Sequence, residues 1–199
     1  MDGSGEEHIE VFTIGHSNHS LEEFLGLLKE HGIEALVDVR SHPRSRYAPH
    51  FNKDVLKKAV DDRSVKYLFL GRELGGRPEG DEFYDEDGRV DYGRVAQSET
   101  FKEGVRRVKD GAGRFRVALM CSEEDPTGCH RELLVGRVLR EEGVDVRHIR
   151  GEGNIQSEED LEEDQLALFE EPREREEWKS VKPIRSASPG RPPRSSSGR

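Results

Sequence analysis

Short apolar runs alternate along this chain with longer amphipathic stretches, and that rhythm sets the expected architecture. Ile9 to Ile14, rich in β-branched and aromatic side chains, predicts a first strand. Ser20 and Glu23 form a capping-box signature that opens a helix carrying Leu21, Phe24, Leu25, Leu27 and Leu28, and Gly32 ends it. Ile33 to Val39 follows as a second buried strand, completing a βαβ unit. Phe51 to Val60 reads as a helix, Val65 to Leu70 as a third strand and Phe101 to Lys109 as a further helix. Val117, Ala118, Leu119 and Met120 then form an uninterrupted apolar run, the pattern of a strand covered on both faces of a parallel sheet. Asp125-Pro126 is a helix opening, with Asp as N-cap and Pro at the first helical position. Leu133, Leu134, Val138 and Leu139 give that helix an apolar face before Gly143. Val144 to Ile149 is the last strand and runs into Gly151-Glu-Gly153. Five strands alternating with helices predict an α/β fold, a three-layer domain with a mainly parallel sheet, over residues 9–153.

Three stretches fall outside that rhythm. Pro78 to Tyr92, rich in Asp, Glu and Gly, is expected to be a solvated insertion, with a lid as the alternative. Residues 154–178 form an acidic, partly helical extension. Ser157 to Glu177 holds eleven acidic residues against two arginines, with Leu161, Leu166, Leu168 and Phe169 available to pack. Residues 179–199 carry six Lys or Arg, no acid and a Ser/Pro/Gly-rich end. They are expected to be a disordered solubilising tail whose removal from Ser180 onward leaves the fold intact.

Composition narrows the function classes. A chain of 199 residues fits one domain plus a tail, and a formal charge of -10 argues against a general duplex-DNA coating role while leaving a local basic groove open. No run approaches the roughly 18 apolar residues of a membrane span, and Met1 to Glu10 is polar and acidic, so a cytoplasmic protein without a membrane partner is expected. Two cysteines cannot frame a secreted domain of this size, which favours free thiols in a reducing compartment. Composition assigns neither a cofactor nor an oligomeric state.

The chemistry concentrates in residues 118–131, where both cysteines fall beside His130 and Arg131 at a helix start. Helix N-termini and neighbouring cations stabilise a thiolate and can bring a thiol from about 8.5 into the range of roughly 3.5 to 7.5. Glu123, Glu124 and Asp125 oppose this if they face the sulfur. Cys121, Cys129, His130 and Glu123 are therefore the candidate catalytic residues. Open α/β sheets bind ligands beyond the carboxyl ends of their strands. Those ends carry His16, Ser17 and His19, then Arg40, His42, Arg44, Arg46 and Tyr47, then Arg72, Glu73, Gly75 and Gly76, and finally Arg131. Arginine forks and closely approaching Gly-Gly amides imply an anionic ligand, a phosphate-bearing small molecule, nucleotide or nucleic acid. Two other readings use the same residues. One is a phosphate or nucleic-acid binding module with structural cysteines, the other a zinc site of Cys121, Cys129 and His130 completed by His16 or His19.

Four motifs in order, Thr13-Ile-Gly-His-Ser17, Asp38-Val-Arg40 with Pro43-Arg-Ser-Arg46, Leu70-Gly-Arg-Glu-Leu-Gly-Gly76 and Met120-Cys-Ser-Glu-Glu-Asp-Pro-Thr-Gly-Cys-His-Arg131, resemble the bacterial and archaeal family called domain of unknown function 488. The resemblance spans roughly residues 9–153 and implies an enzyme without naming a reaction. The chain is also similar in pattern to rhodanese-type sulfurtransferases, in which an Asp-x-Arg strand precedes a strand ending in cysteine. There a short loop wraps the cysteine directly, whereas nine residues separate Cys121 from Arg131 here, so the likeness is one of fold.

Overall fold

A computed structural model describes residues 9–161, 163 and 178–185 of the chain. Five parallel strands, β1 (Glu10–Gly15), β2 (Ala35–Asp38), β3 (Lys66–Phe69), β4 (Val117–Cys121) and β5 (Asp145–Ile149), lie in the order β3-β2-β4-β1-β5. A sixth strand, β6 (Ile155–Gln156), adds antiparallel to β5. It is two residues long and follows a glycine turn, too short to leave an alternating pattern.

Side-chain alternation along the central strands builds two separate cores. Phe12, Ile14, Leu36, Ala118 and Met120 face α1 (Leu21–Glu30) and α2 (Lys53–Asp61), which present Phe24, Leu25, Leu28, Leu56 and Val60. Val11, Val37, Val117, Leu119 and Cys121 face the other way. There they meet α3 (Tyr92–Gln97), α4 (Glu99–Ala112) and the helix that ends in α5 (Arg137–Glu141). The expected three-layer α/β domain with a mainly parallel sheet is what forms. Both capping signals at α1 are used, since Ser20 Oγ accepts from the Glu23 N–H at 3.2 Å and Glu23 Oε2 accepts from the Ser20 N–H at 2.7 Å.

The helix after β4 departs from expectation. Asp125 does cap a turn begun by Pro126, but that turn is a 3₁₀ segment, Pro126–Gly128, and Arg131–Gly136 is π-helical before α5 takes over. All six residues of the π segment are buried, so it has no solvent face and no amphipathic period to be read.

Residues 78–92 are anchored rather than merely solvated. A bridge pairs Tyr84 with Val90, Val90 and Tyr92 are buried, and α3 begins where the insertion was expected to end. The segment from Trp178 to Arg185 explains the anchoring and corrects the expectation that the disordered tail begins at residue 179. Trp178 Nε1 donates to Leu133 O at 2.6 Å, and Ser180, 4% exposed, exchanges bonds with Val90 through both its N–H and its Oγ at 2.9 Å. Arg137 stacks over Trp178 at 4.3 Å and Arg185 over Tyr84 at 3.8 Å. Main-chain pairing and guanidinium stacking hold the segment, and neither needs the aliphatic residues whose scarcity suggested disorder. In the acidic extension Leu161 is buried as expected, while Leu166, Leu168, Phe169 and residues 186–199 lie outside the described residues. Among the described residues no helix is long and apolar enough to cross a membrane.

Candidate functional site

Connections from β1 and β2 lead to helices on one face of the sheet, those from β3 and β4 to helices on the other. β4, flanked by β2 and β1, therefore ends at the point where the winding reverses, the place where such sheets leave a crevice. The register sets Gly15 beside Cys121 and Asp38 beside Met120, and the His16 N–H donates to Cys121 O at 3.0 Å. Three strand ends thus converge on one cysteine. Gly15 is required there, because a Cβ would stand 1.8 Å from Glu123 O. Ser17, with φ of 43°, turns the chain in the left-handed region, a strained position of the kind found at ligand sites.

Around Cys121 the sequence-distant groups close up. His130 Nε2 lies 3.1 Å from Val39 O and donates to it, which leaves Nδ1 aimed at both sulfurs, 3.8 Å from Cys121 and 3.9 Å from Cys129. Gly76 packs on this imidazole so closely that a Cβ would lie 2.8 Å from the ring. The Gly-Gly pair thus makes room for a protein side chain. Both cysteines are free thiols. Donation from the Cys129 thiol, followed by the charge and hydrogen bond of His130 and the charge of Arg131, pulls Cys121 well below the ordinary thiol range against the opposing effect of burial. Cys129 moves the opposite way, pushed well up by its bond to Cys121, by burial and by the Cys121 charge. Burial would lower His130, but the adjoining Cys121 charge and hydrogen bond raise it overall. These shifts together favour a thiolate at Cys121 beside a His130 that holds its proton more tightly, with Cys129 as the neutral donor.

Arg131 sits differently from the expected substrate clamp. It is fully buried, its Nε donates to Thr13 Oγ1 at 3.1 Å, and its two amino groups donate to the carbonyls of Glu123 and Glu124. With the fork spent on the loop after β4, it fixes the cysteine loop and supplies positive charge from within. The bonding continues from Thr13 to His148 Nδ1 at 2.7 Å, and His148 Nε2 lies 3.2 Å from Glu132, which Arg140 clasps from outside. Thr13 and His148 were not expected in the site's support; Thr13, a polar residue between Phe12 and Ile14, was a readable signal, whereas His148 lies beside Arg147 in a strand that also holds Asp145 and gave none.

Arg40 is also buried and held in place. Asp38 receives its Nε at 2.9 Å and its Nη2 at 2.7 Å, Phe51 O receives Nη2 at 2.8 Å, and Tyr67 O–H donates to the same carboxylate at 2.6 Å. That burial and the Asp38 charge push the Tyr67 hydroxyl far up, so it stays a donor. His16 stacks on Phe51 at 4.3 Å, and burial, then the Arg40 charge, lower its pKa and keep it neutral. A cavity of about 390 Å³ opens beside these groups, lined by His16, Ser17, Arg40, Arg44, Tyr47 and Glu123 among others. It adjoins a larger one of about 660 Å³ bounded by His19, Glu124 and Arg150. Arg46 is exposed and donates to the Tyr47 hydroxyl at 2.9 Å. Two expected residues serve elsewhere. Glu73 pairs with Arg107 of α4 at 3.0 Å, and Gly75 packs against Gly71 O and Ser41. Glu123 contributes its carbonyl to Arg131 and keeps its side chain exposed on the cavity rim.

Among the described residues one cluster has donors spaced for a metal ion, the two sulfurs and His130 Nδ1, all within 4.8 Å of one another. Neither His16 nor His19 joins it.

A model of the family described as domain of unknown function DUF488 matches residues 20–138. The chain belongs to DUF488. That matched stretch of the DUF488 domain runs from the α1 cap into the helix after β4, so it contains Arg40, Gly76, Cys121, Cys129, His130 and Arg131 while β1 and β5 lie beyond it. No curated protein matches the chain.

Proposed function

We propose that this DUF488 chain is a cysteine-dependent enzyme in which the Cys121 thiolate attacks an anionic substrate bound in the cavity beside Arg40. The placement of His130 Nδ1 within reach of both sulfurs at the end of β4 carries the reading, and the lowered Cys121 thiol supports it. We take Cys121, where the strand ends converge, as the nucleophile and Cys129 as its neighbour. His130 takes the Cys121 proton at Nδ1 and passes it to the leaving group, and Val39 O, accepting from Nε2, keeps Nδ1 turned to the sulfur. Arg40 and Arg44 receive the anion, and the crevice at the winding reversal admits it. A reducing cytoplasm keeps both thiols available. The test is iodoacetamide labelling followed across pH: a fast-reacting thiol with an inflection well under about 8.5, absent in Cys121→Ser, is expected. A single inflection at or above that value would overturn the proposal.

The close convergence of the three donors favours one further reading, a thiolate and imidazole site for a soft cation. Titration of the purified chain with zinc distinguishes it, because that reading requires stoichiometric uptake lost in Cys129→Ser.

A further inference from the structure

The segment from Val39 to Lys53 contains no acidic residue in a chain of net charge -10, while it holds Arg40, Arg44, Arg46, Lys53 and two histidines. Arg44 and Arg46 are presented on an ordered loop, while Arg40 is buried and paired with Asp38. Ser45 N–H donates to Asn52 Oδ1 at 2.7 Å, Ser45 Oγ accepts from the N–H groups of Tyr47 and Ala48 at 3.1 and 3.2 Å, and Lys53 N–H donates to Pro43 O at 2.9 Å. Arg44 has no hydrogen-bond or ion-pair partner among the described residues, although it lines the cavity. At the cavity rim the same loop holds out Tyr47, 83% exposed and the only exposed Phe, Tyr or Trp side chain among the described residues.

A phosphate needs the cations but has no use for the ring. An aromatic face left in water beside arginines is the arrangement by which proteins stack a nucleobase while gripping its phosphate. Arg46 steadies this ring from its edge and one side, through the hydroxyl bond and a guanidinium 4.9 Å from the ring centre. We infer that the substrate class of the site is a nucleotide, with its phosphate on Arg40 and Arg44 and its base on the open face of Tyr47. The cavity of about 390 Å³ is in the range that holds a small ligand of this size. No base edge is read by a matched donor set here, so the stacking predicts little preference among bases. This inference rests on the proposed function for its location beside Cys121, but binding itself does not depend on the thiol.

The experiment is calorimetric titration of the full chain carrying Cys121→Ser with each of the four nucleoside monophosphates, with adenosine and with ribose 5-phosphate, at low ionic strength. Monophosphates are expected to bind at least about tenfold tighter than either fragment, since each fragment lacks one of the two contacts. Tyr47→Leu should weaken them by about 5- to 150-fold while Tyr47→Phe stays near the parent, and Arg44→Gln should weaken monophosphate and ribose 5-phosphate alike. Equal affinity for ribose 5-phosphate and the monophosphates, unmoved by Tyr47→Leu, would overturn the inference, as would no monophosphate binding at all. Failure of the thiol chemistry shows separately, in the labelling profile of the parent chain, and leaves this titration unaffected.

Discussion

His130 Nδ1 stands 3.8 Å from the sulfur of Cys121 and 3.9 Å from that of Cys129, so one imidazole addresses two thiols. The pair can share one negative charge, and the hydrogen bond from Cys129 is the largest contribution that assigns it to Cys121. Cys129→Ala and His130→Gln should each move the alkylation inflection of Cys121 upward, whereas a structural pair of thiols would show no such shift. Mass-resolved labelling rates at several pH values check this.

Arg131 carries the loop that carries the nucleophile. Arg131→Gln leaves the Glu123 and Glu124 carbonyls without their charged donor, and hydrogen bonds to charged groups contribute about 1.5 to 3 kcal/mol each. A stability loss of about 3 kcal/mol or more in urea unfolding is expected. Arg131→Lys should recover less than half of it, because an ammonium cannot reach Thr13 and both carbonyls together. A variant as stable as the parent would show the fork to be dispensable.

Acid should act through Glu132. Burial would raise this carboxyl, yet His148 and Arg140 outweigh it and hold the folded pKa at about 2, below the ordinary 4.5. The folded chain therefore prefers the carboxylate, and its contribution is full above pH 4.5 and drains away as pH falls toward about 2. Its size is of the order of 3 kcal/mol. Glu132→Gln should be less stable at pH 7 and should flatten the loss between pH 5 and 2, as measured by denaturant midpoints across that interval.

A chain ending at Trp178 removes the main-chain and Oγ bonds of Ser180 and the stack of Arg185 on Tyr84. We expect a loss of about 2 kcal/mol, or a Tm lower by about 4 to 8 °C in a domain of this size. A chain ending at Arg185 should match the parent. Scanning calorimetry of the two truncations decides whether docking of 179–185 matters to the fold.

Leu119 is fully buried in β4 between two flanking strands. Leu119→Ala should cost about 2 to 5 kcal/mol by chemical denaturation. A change under about 1 kcal/mol would mean that the core beneath Cys121 closes over the gap.

The fold could be read from the sequence because it rests on periodicity. Ile9 to Ile14 and Val117 to Met120 are central strands, and Ser20 caps α1 through the bonds that its spacing from Glu23 implies. The grouping of Cys121, Cys129 and His130 was also legible, from short spacing alone. Direction was not. Arg131 reads in sequence as a cation next to a reactive thiol, and nothing local says that its fork turns inward to Thr13, a partner 118 residues away. The direction of Glu73 is hidden for the same reason, since its partner Arg107 belongs to α4. The docking of Ser180 on Val90 depends on main-chain complementarity, which side-chain composition does not encode.

The π-helical segment Arg131–Gly136 makes the length of this region rigid as well as its shape. Deleting a single residue between Cys121 and Gly136 would let the segment relax to an α-helix, whose residues are offset by about 100° each. Such a shift would swing Cys129 and His130 off the Cys121 sulfur and take Arg131 from its loop carbonyls in one step. Functional members of this lineage should accordingly vary in the residues of this interval without gaining or losing any, and insertions should collect in stretches such as 78–92, where the chain can absorb them.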